Sequence, residues 1–239
     1  MPKSFVPLES NPEIFSSLSH RLGLGESLAF HDVFSIDDPD LLAFVPRPVS
    51  ALILVFPVSE TYEEYRKTDD ATRPTDYYTS VAGTPAQDSL WYRQTIRNAC
   101  GFYAILHALA NGVHDLQSDS YIESLIKRTE HATVDDRTHI LENDTELDKL
   151  YASLASKGST QAPDASDEVN LHFVCFTRAR GSGHFVELDG RRTGPIDLGE
   201  LDKNSDMLSD KVLDHVRSFM QRETKDPSFS ILALAPSFD

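Results

Sequence analysis

The sequence predicts a mixed α+β fold in which helices cover a central sheet that includes a hairpin. Three observations carry that reading. Residues 51–58 (Ala-Leu-Ile-Leu-Val-Phe-Pro-Val) are apolar at almost every position, as a strand buried on both faces at the centre of a helix-covered sheet must be. Residues 171–176 and 185–189 read as two further strands, joined into a hairpin by the polar turn 177–183. Several other stretches repeat their apolar residues at the spacing of a helix face.

The remaining elements follow in chain order. Residues 1–12 form an extended arm. Ser10 or Asn11 then caps a helix with Pro12 near its first position, and Ile14, Phe15, Leu18 and Leu22 share one face before Gly23 and Gly25 end it. Residues 28–35 suit a strand, and residues 37–44 a short helix stopped by Pro46 and Pro48. Residues 60–70 are a charged helix or loop, and residues 70–90 a polar surface loop. Residues 119–132 and 144–156 are amphipathic helices, with a helical turn at 135–142 between them. Their stripes (Tyr121, Leu125, Ile126; Leu147, Leu150, Tyr151, Leu154) are core faces. Residues 157–170 are small, polar and acidic. They read as a linker or as a mobile loop over a site, because unstructured stretches longer than about 12 residues are uncommon inside compact domains. Residues 195–198 suit a short strand. Residues 206–223 suit an amphipathic helix presenting Met207, Leu208, Val212, Val216, Phe219 and Met220, with His215 at the surface or satisfied in the core. Residues 229–235 make a last strand, and residues 1–239 are read as one domain.

Composition narrows the function. The excess of 38 acidic over 22 basic residues, a net charge of −16, disfavours nucleic acid and anionic membrane as partners, since both require a basic surface. It suits a basic partner, or solubility alone. No apolar run approaches the roughly 20 residues of a membrane span, and no signal-peptide core opens the chain. Two cysteines, Cys100 and Cys175, in so long a chain indicate a reducing compartment. Neither a Cys-x-x-Cys pair nor a His/Cys spacing suited to structural zinc is present, so no metal is expected.

The chemistry gathers at residues 91–111. Asn98 is a plausible N-cap for a helix whose apolar residues are Phe102, Ile105, Leu106 and Leu109, so Cys100 falls in its first turn. Unpaired backbone N–H groups and the positive end of the helix dipole favour an anion there. A thiol with an ordinary pKa of roughly 8.5 becomes a nucleophile when such a terminus and a basic partner lower it. The competing reading is a small buried hydrophobe. Gln94 favours the nucleophile, because an amide six residues earlier can donate to an oxyanion alongside the Cys100 N–H. The same Gln-to-Cys interval occurs in papain-like proteases. His107 lies about 10 Å further along the helix and cannot serve as the base.

The base comes from the hairpin. If Phe176 faces Phe185, counting back places His172 directly opposite Asp189, with Cβ atoms about 4.5–5.5 Å apart. A carboxylate there would hold the imidazole tautomer and stabilise the imidazolium. His184 is rejected, since five residues along one strand put it about 16 Å from Asp189 and on the other face. Glu187 shares the Asp189 face, so parity alone leaves it open as the orienter. Cys175 points away from His172 as a core thiol.

Gln94-Thr95-Ile96-Arg97-Asn98-Ala99-Cys100-Gly101, Leu171-His172-Phe173 and Glu187-Leu188-Asp189-Gly190 resemble the active-site motifs of the ubiquitin carboxyl-terminal hydrolases, in their small single-domain branch. Pro7-Leu8-Glu9, Asn11-Pro12, Val45-Pro46-Arg47-Pro48 and residues 229–235 extend the resemblance over nearly the whole chain. Extra residues at 178–183 lengthen the His-to-Asp interval, and Arg97 and Phe102-Tyr103 are local variations. The resemblance implies a papain-like core, a central and mainly antiparallel sheet flanked by helices, with a knotted backbone. It implies Cys100 as nucleophile, His172 as general base and then acid, Asp189 as orienter and Gln94 as oxyanion donor, with no cofactor. Residues 157–170 fall where the family has a crossover loop that limits substrates to ubiquitin bearing small or unfolded adducts. The acidic surface would seat the two arginines of the ubiquitin tail. Pro7, Leu8, Glu9, Asn11, Pro12, Asp32 and Asp226 match positions near ubiquitin contacts. The expectation is a monomeric cytoplasmic deubiquitinating hydrolase, with the nucleus as a second compartment. The rival readings are a related protease for a ubiquitin-like modifier or other peptides, and a ubiquitin-binding module without catalysis.

Overall fold

Capping sets where the first helix begins. Asn11 Oδ1 accepts the N–H groups of Glu13 and Ile14 at 2.8 and 3.4 Å, and Pro12 opens α1 (Pro12–Leu22). The helix stops at Gly23, whose φ of 119° is left-handed. Asn11→Ala should lower the unfolding free energy by about 1 kcal/mol in urea titration, and Asn11→Ser should recover most of it. A computed structural model of the chain describes residues 3–74, 77–80, 87–155, 170–222 and 228–238.

The strands are β1 (Leu28–Asp32), β2 (Ala51–Pro57), β3 (Leu171–Arg178), β4 (Phe185–Leu188), β5 (Ile196–Asp197) and β6 (Ser230–Pro236). They form one sheet in the order β1-β6-β2-β3-β4-β5, antiparallel at every pairing. The apolar run of β2 lies inside the sheet between β6 and β3, buried along all but its last residue. The first face of the sheet gathers Phe15, Leu18, Phe102, Ile105, Leu109 and, from β3, Phe173 and Cys175. The other face gathers Tyr62, Val212, Val216, Phe219 and, from β3, Val174 and Phe176. Alternation along one strand thus feeds two cores. Strand β1 is an edge, and α1 covers it: the Phe30 N–H donates to Ser16 Oγ at 2.8 Å, and His20 Nε2–H donates to the Leu28 carbonyl at 2.7 Å.

The other helices are α2 (Pro39–Leu42), α3 (Glu60–Asp70), α4 (Tyr77–Ser80), α5 (Cys100–Gly112), α6 (Tyr121–Thr129), α7 (Val134–Glu142), α8 (Thr145–Ala155) and α9 (Asp210–Arg222). Several bounds differ from expectation. The 60–70 segment is helical because Ser59 Oγ accepts the Tyr62 N–H at 2.9 Å and caps it. Part of the expected 70–90 loop is α4. Strand β1 ends at Asp32, three residues early, and β3 runs two residues further than expected. Met207 and Leu208 are buried in a turn before α9, because the Asp206 carboxylate accepts the N–H groups of Val49 and Leu208 and holds the backbone out of the helix. The side chain of Leu154 and residues 157–169 lie outside the described residues. No described helix is long and apolar enough to cross a membrane.

Candidate active site

The extended arm decides how the chain reaches Cys100. The Phe5 N–H donates to the Arg97 carbonyl and the Arg97 N–H to the Lys3 carbonyl, both at 3.0 Å, in a short parallel bridge. The chain must then turn sharply into α5. Asn98 makes that turn with a left-handed φ of 56°, a conformation asparagine tolerates better than most residues. The expected Asn98 cap is therefore corrected: Ala99 holds the cap position, and its methyl side chain makes no capping hydrogen bond. Cys100 still opens the helix, half-buried, with its Sγ 3.7 Å from the Leu171 carbonyl. That carbonyl belongs to the residue before His172.

The hairpin register also differs. Phe176 pairs with Glu187 and Arg178 with Phe185, because β3 continues through Thr177 and Arg178 and leaves only residues 179–184 for the turn. His172 is therefore not directly opposite Asp189. The slip is two residues, which preserves the face of every side chain, so the two become diagonal neighbours. His172 Nε2–H donates to Asp189 Oδ1 at 2.9 Å, with both residues buried.

Asp189 is fixed from three other directions. The Tyr62 hydroxyl donates to its Oδ2 at 2.6 Å, the Arg191 N–H donates to its Oδ1 at 2.8 Å, and Trp91 Nε1–H donates to its backbone carbonyl at 2.9 Å. Burial disfavours a charged carboxylate, but the His172, Tyr62 and Arg191 donors outweigh it and hold Asp189 well below the usual carboxylate range. Burial likewise disfavours the imidazolium. The Asp189 charge and hydrogen bond, together with the Cys100 sulfur, overcome that and raise His172 to about 9.

Gln94 lies against the far side of the same loop. Its N–H donates to the Gly190 carbonyl at 2.8 Å, and its Nε2–H makes a long 3.4 Å bond to the Ile96 carbonyl. Its Oε1 is buried without a protein partner among the described residues. A Cβ on residue 190 would sit 2.8 Å from Gln94 Cβ and 3.0 Å from Gln94 N, so only glycine allows this approach. Gly190→Ala should destabilise the fold by about 1–3 kcal/mol, read as a lower urea midpoint, because the obstructing atoms include backbone.

The other candidates separate from this cluster. Glu187 ion-pairs with Arg192 at 3.5 Å and has a carboxylate oxygen 3.5 Å from His215 Nε2, whereas the His172 hydrogen bond goes to Asp189. His184 pairs with Asp197 at 2.9 Å at the other end of β4. His107 is buried, accepts the Tyr92 N–H at Nε2 and is lowered to about 4 by burial, so it is neutral and structural. Cys175 is fully buried, and burial pushes its thiol up.

A family model described as ubiquitin carboxyl-terminal hydrolase, family 1, matches residues 5–221. Ubiquitin carboxyl-terminal hydrolase YUH1 of Saccharomyces cerevisiae is 33% identical over 246 residues, covering 99% of this chain and 98% of the yeast protein. The chain belongs to the ubiquitin carboxyl-terminal hydrolases. This hydrolase is 35% identical to the ubiquitin carboxyl-terminal hydrolase of Aplysia californica over 227 residues, covering 92% and 96% of the two chains. Its fold is similar to the catalytic domain of Trichinella spiralis UCH37 bound to ubiquitin vinyl methyl ester. There the TM-score is 0.73 at 18% identity, over 98% of this chain and 96% of that one. Membership makes the hydrolase an enzyme of the cysteine-peptidase class with deubiquitinating activity.

The positions expected near ubiquitin differ in burial and in what they contact. Leu8 is buried against Gly101 and belongs to the core. Pro7, Glu9, Asn11 and Pro12 are half-buried, and the Asn11 side chain is committed to capping α1. Asp32, its carboxyl raised by partial burial, lines an open groove of about 710 Å³ with Pro12, Phe34, Phe44 and Phe238. Those three phenylalanines are 72%, 67% and 76% exposed. Asp226 lies outside the described residues. Tyr62 was missed by sequence reading, for its segment carries no signal beyond charge.

Proposed function

We propose that the hydrolase cleaves small or unfolded adducts from the C-terminal glycine of ubiquitin as a single catalytic domain. Cys100 is the nucleophile, His172 the base and then the acid, Asp189 its orienter and Gln94 the oxyanion donor. His172 takes the Cys100 proton, the thiolate attacks the terminal carbonyl, and the oxyanion accepts hydrogen bonds from the Gln94 amide and the Cys100 N–H. The His172 imidazolium gives its proton to the departing amine or thiol as the bond to the carbonyl carbon breaks, leaving a thioester. Neutral His172 then takes a proton from water, which attacks the thioester and frees ubiquitin and the thiolate.

The observation that carries this reading is the buried 2.9 Å bond from His172 to Asp189, on an imidazole whose proton affinity the Cys100 sulfur also raises. The acidic net charge of −16 suits a substrate whose tail carries two arginines. Asp32 and the exposed phenylalanines beside it offer a surface of mixed acidic and apolar character. Free Cys100 and Cys175 fit a reducing compartment such as the cytoplasm.

Ubiquitin carrying a C-terminal electrophile should add once to the hydrolase, at Cys100, with buried Cys175 untouched, as read by intact mass and peptide mapping. No labelling would leave a ubiquitin-binding module without catalysis. A panel of fluorogenic modifier C-termini tests the substrate. Equal rates with ubiquitin, with other modifiers and with the free tail peptide would overturn ubiquitin specificity.

A further inference from the structure

Helix α3 is polar and charged along its length, and Tyr62 is the side chain it buries, at 2% exposure. Any buried tyrosine hydroxyl needs a hydrogen-bond partner, so what matters is which group it meets. This one directs its hydroxyl at Asp189 Oδ2, 2.6 Å away, and its ring lies 6.0 Å from the His172 ring, while Phe56 meets that ring edge-on at 5.7 Å. The same helix is fastened to the loop that follows Asp189. Glu63 pairs with Arg191, and Arg66 Nη1–H donates to the Arg191 carbonyl at 3.1 Å. Arg192 pairs with Asp69 and, at 2.8 Å, with Asp70.

We infer that Tyr62 is a positioning residue for the reaction, fixing the rotation of the Asp189 carboxylate so that Oδ1 stays aligned with His172, while the ion pairs of α3 hold the hydroxyl in place. The inference rests on the catalytic reading of Cys100, His172 and Asp189 given above. Its physical basis is local. A carboxylate with one oxygen bound can still rock about its Cβ–Cγ bond, and a donor on the second oxygen stops it. Burial and the adjacent Asp189 charge keep the phenol protonated, so it stays a donor across the working pH range. The hydroxyl also draws charge from the carboxylate, which moderates how strongly Asp189 supports the imidazolium. The ionisable groups around the His172–Asp189 pair are Cys100 and His107 from α5, Tyr62 and Arg66 from α3, Glu187 from β4, and Arg191 after it. Among them Tyr62 is the side chain that donates to Oδ2.

The test is Tyr62→Phe in the full chain, which keeps the ring and removes the hydroxyl. With a fluorogenic ubiquitin C-terminal substrate, kcat should fall by about 10- to 100-fold with KM unchanged, the scale of a small misalignment at a reacting group. The alkaline limb of the kcat/KM profile should move to higher pH, because the carboxylate charge is no longer shared. A purely structural role would instead lower the melting temperature and leave the limb in place. Wild-type kcat together with an unmoved limb overturns the assignment. Should Tyr62→Phe fail to fold, 3-fluorotyrosine at position 62 replaces it: a more acidic hydroxyl should move the limb to lower pH, and an unmoved limb is again fatal. The His172 titration followed by NMR in a Cys100→Ala background reads the same contact without turnover. If the wild-type enzyme neither turns over nor takes the electrophile, the catalytic reading has failed, and that titration still decides whether Tyr62 acts on the pair.

Discussion

Cys100→Ser is expected to lower kcat on the order of 10⁶-fold, the loss seen when a hydrolase loses its nucleophile, while the Kd for ubiquitin stays within a few-fold of wild type. The substitution is nearly isosteric and sits at a half-buried position, so folding is preserved. The size of the loss follows from His172. With its pKa raised to about 9, the ring carries its proton at neutral pH. That protonated ring matches a thiolate; the variant loses the sulfur's share of the shift, and its hydroxyl is far harder to ionise than a thiol, so no comparable nucleophile forms. Steady-state kinetics on a fluorogenic ubiquitin substrate, paired with a binding titration, separates the two effects. Turnover within tenfold of wild type would exclude Cys100 as the nucleophile.

Asp189→Asn should cost about 10²–10⁴-fold in kcat/KM, the usual worth of positioned acid–base catalysis, and it should move the alkaline limb to lower pH. The direction follows from the balance at His172. Burial lowers its pKa, and the Asp189 charge and hydrogen bond, with Cys100, raise it to about 9. Removing the charge leaves burial opposed by the sulfur and by a weaker, neutral hydrogen bond, so the imidazolium is lost at a lower pH. The fold survives, because an asparagine Oδ1 can still accept from His172 and the Arg191 N–H, while the Tyr62 hydroxyl can turn to accept from the new amide. Stability shifts in a matching way. The raised His172 contributes stability that is fully present below its unfolded value of 6.5 and is lost as pH rises through about 9. The depressed Asp189 contributes stability that is present above its unfolded value of 3.8 and is lost as pH falls through its lower folded value. Urea midpoints at pH 6 and pH 10 should therefore differ less in Asp189→Asn than in wild type. An equal difference would place the linkage elsewhere.

Particular residues mark how far the sequence could be read. The 51–58 run could only be a buried strand, and its place inside an antiparallel, helix-flanked sheet is what the fold has. The interval between Gln94 and Cys100, with the apolar helix that follows, singles out Cys100 as the candidate nucleophile from local pattern. His172 and Asp189 were paired through a register that was wrong by two residues, and the pairing held because an even slip keeps the face. The Asn98 cap failed because the bridge from Lys3 and Phe5, some ninety residues away in sequence, sets the turn before α5. Tyr62 had no local signal: Tyr65, three residues on in the same charged helix, is exposed, and nothing in the segment says which ring meets a carboxylate.

The sequence by itself determined the short-range features, namely strand and helix identity, the cap on α1, the apolar stripes and the residue types that break an acyl bond. These follow from periodicity and from hydrogen bonds made within a few residues. Tertiary structure alone decided the hairpin register, the Gly190 approach to Gln94 and the hydroxyl on Asp189. The register depends on how far β3 extends before its turn, and the other two depend on bringing together segments some ninety or more residues apart, which no local pattern encodes.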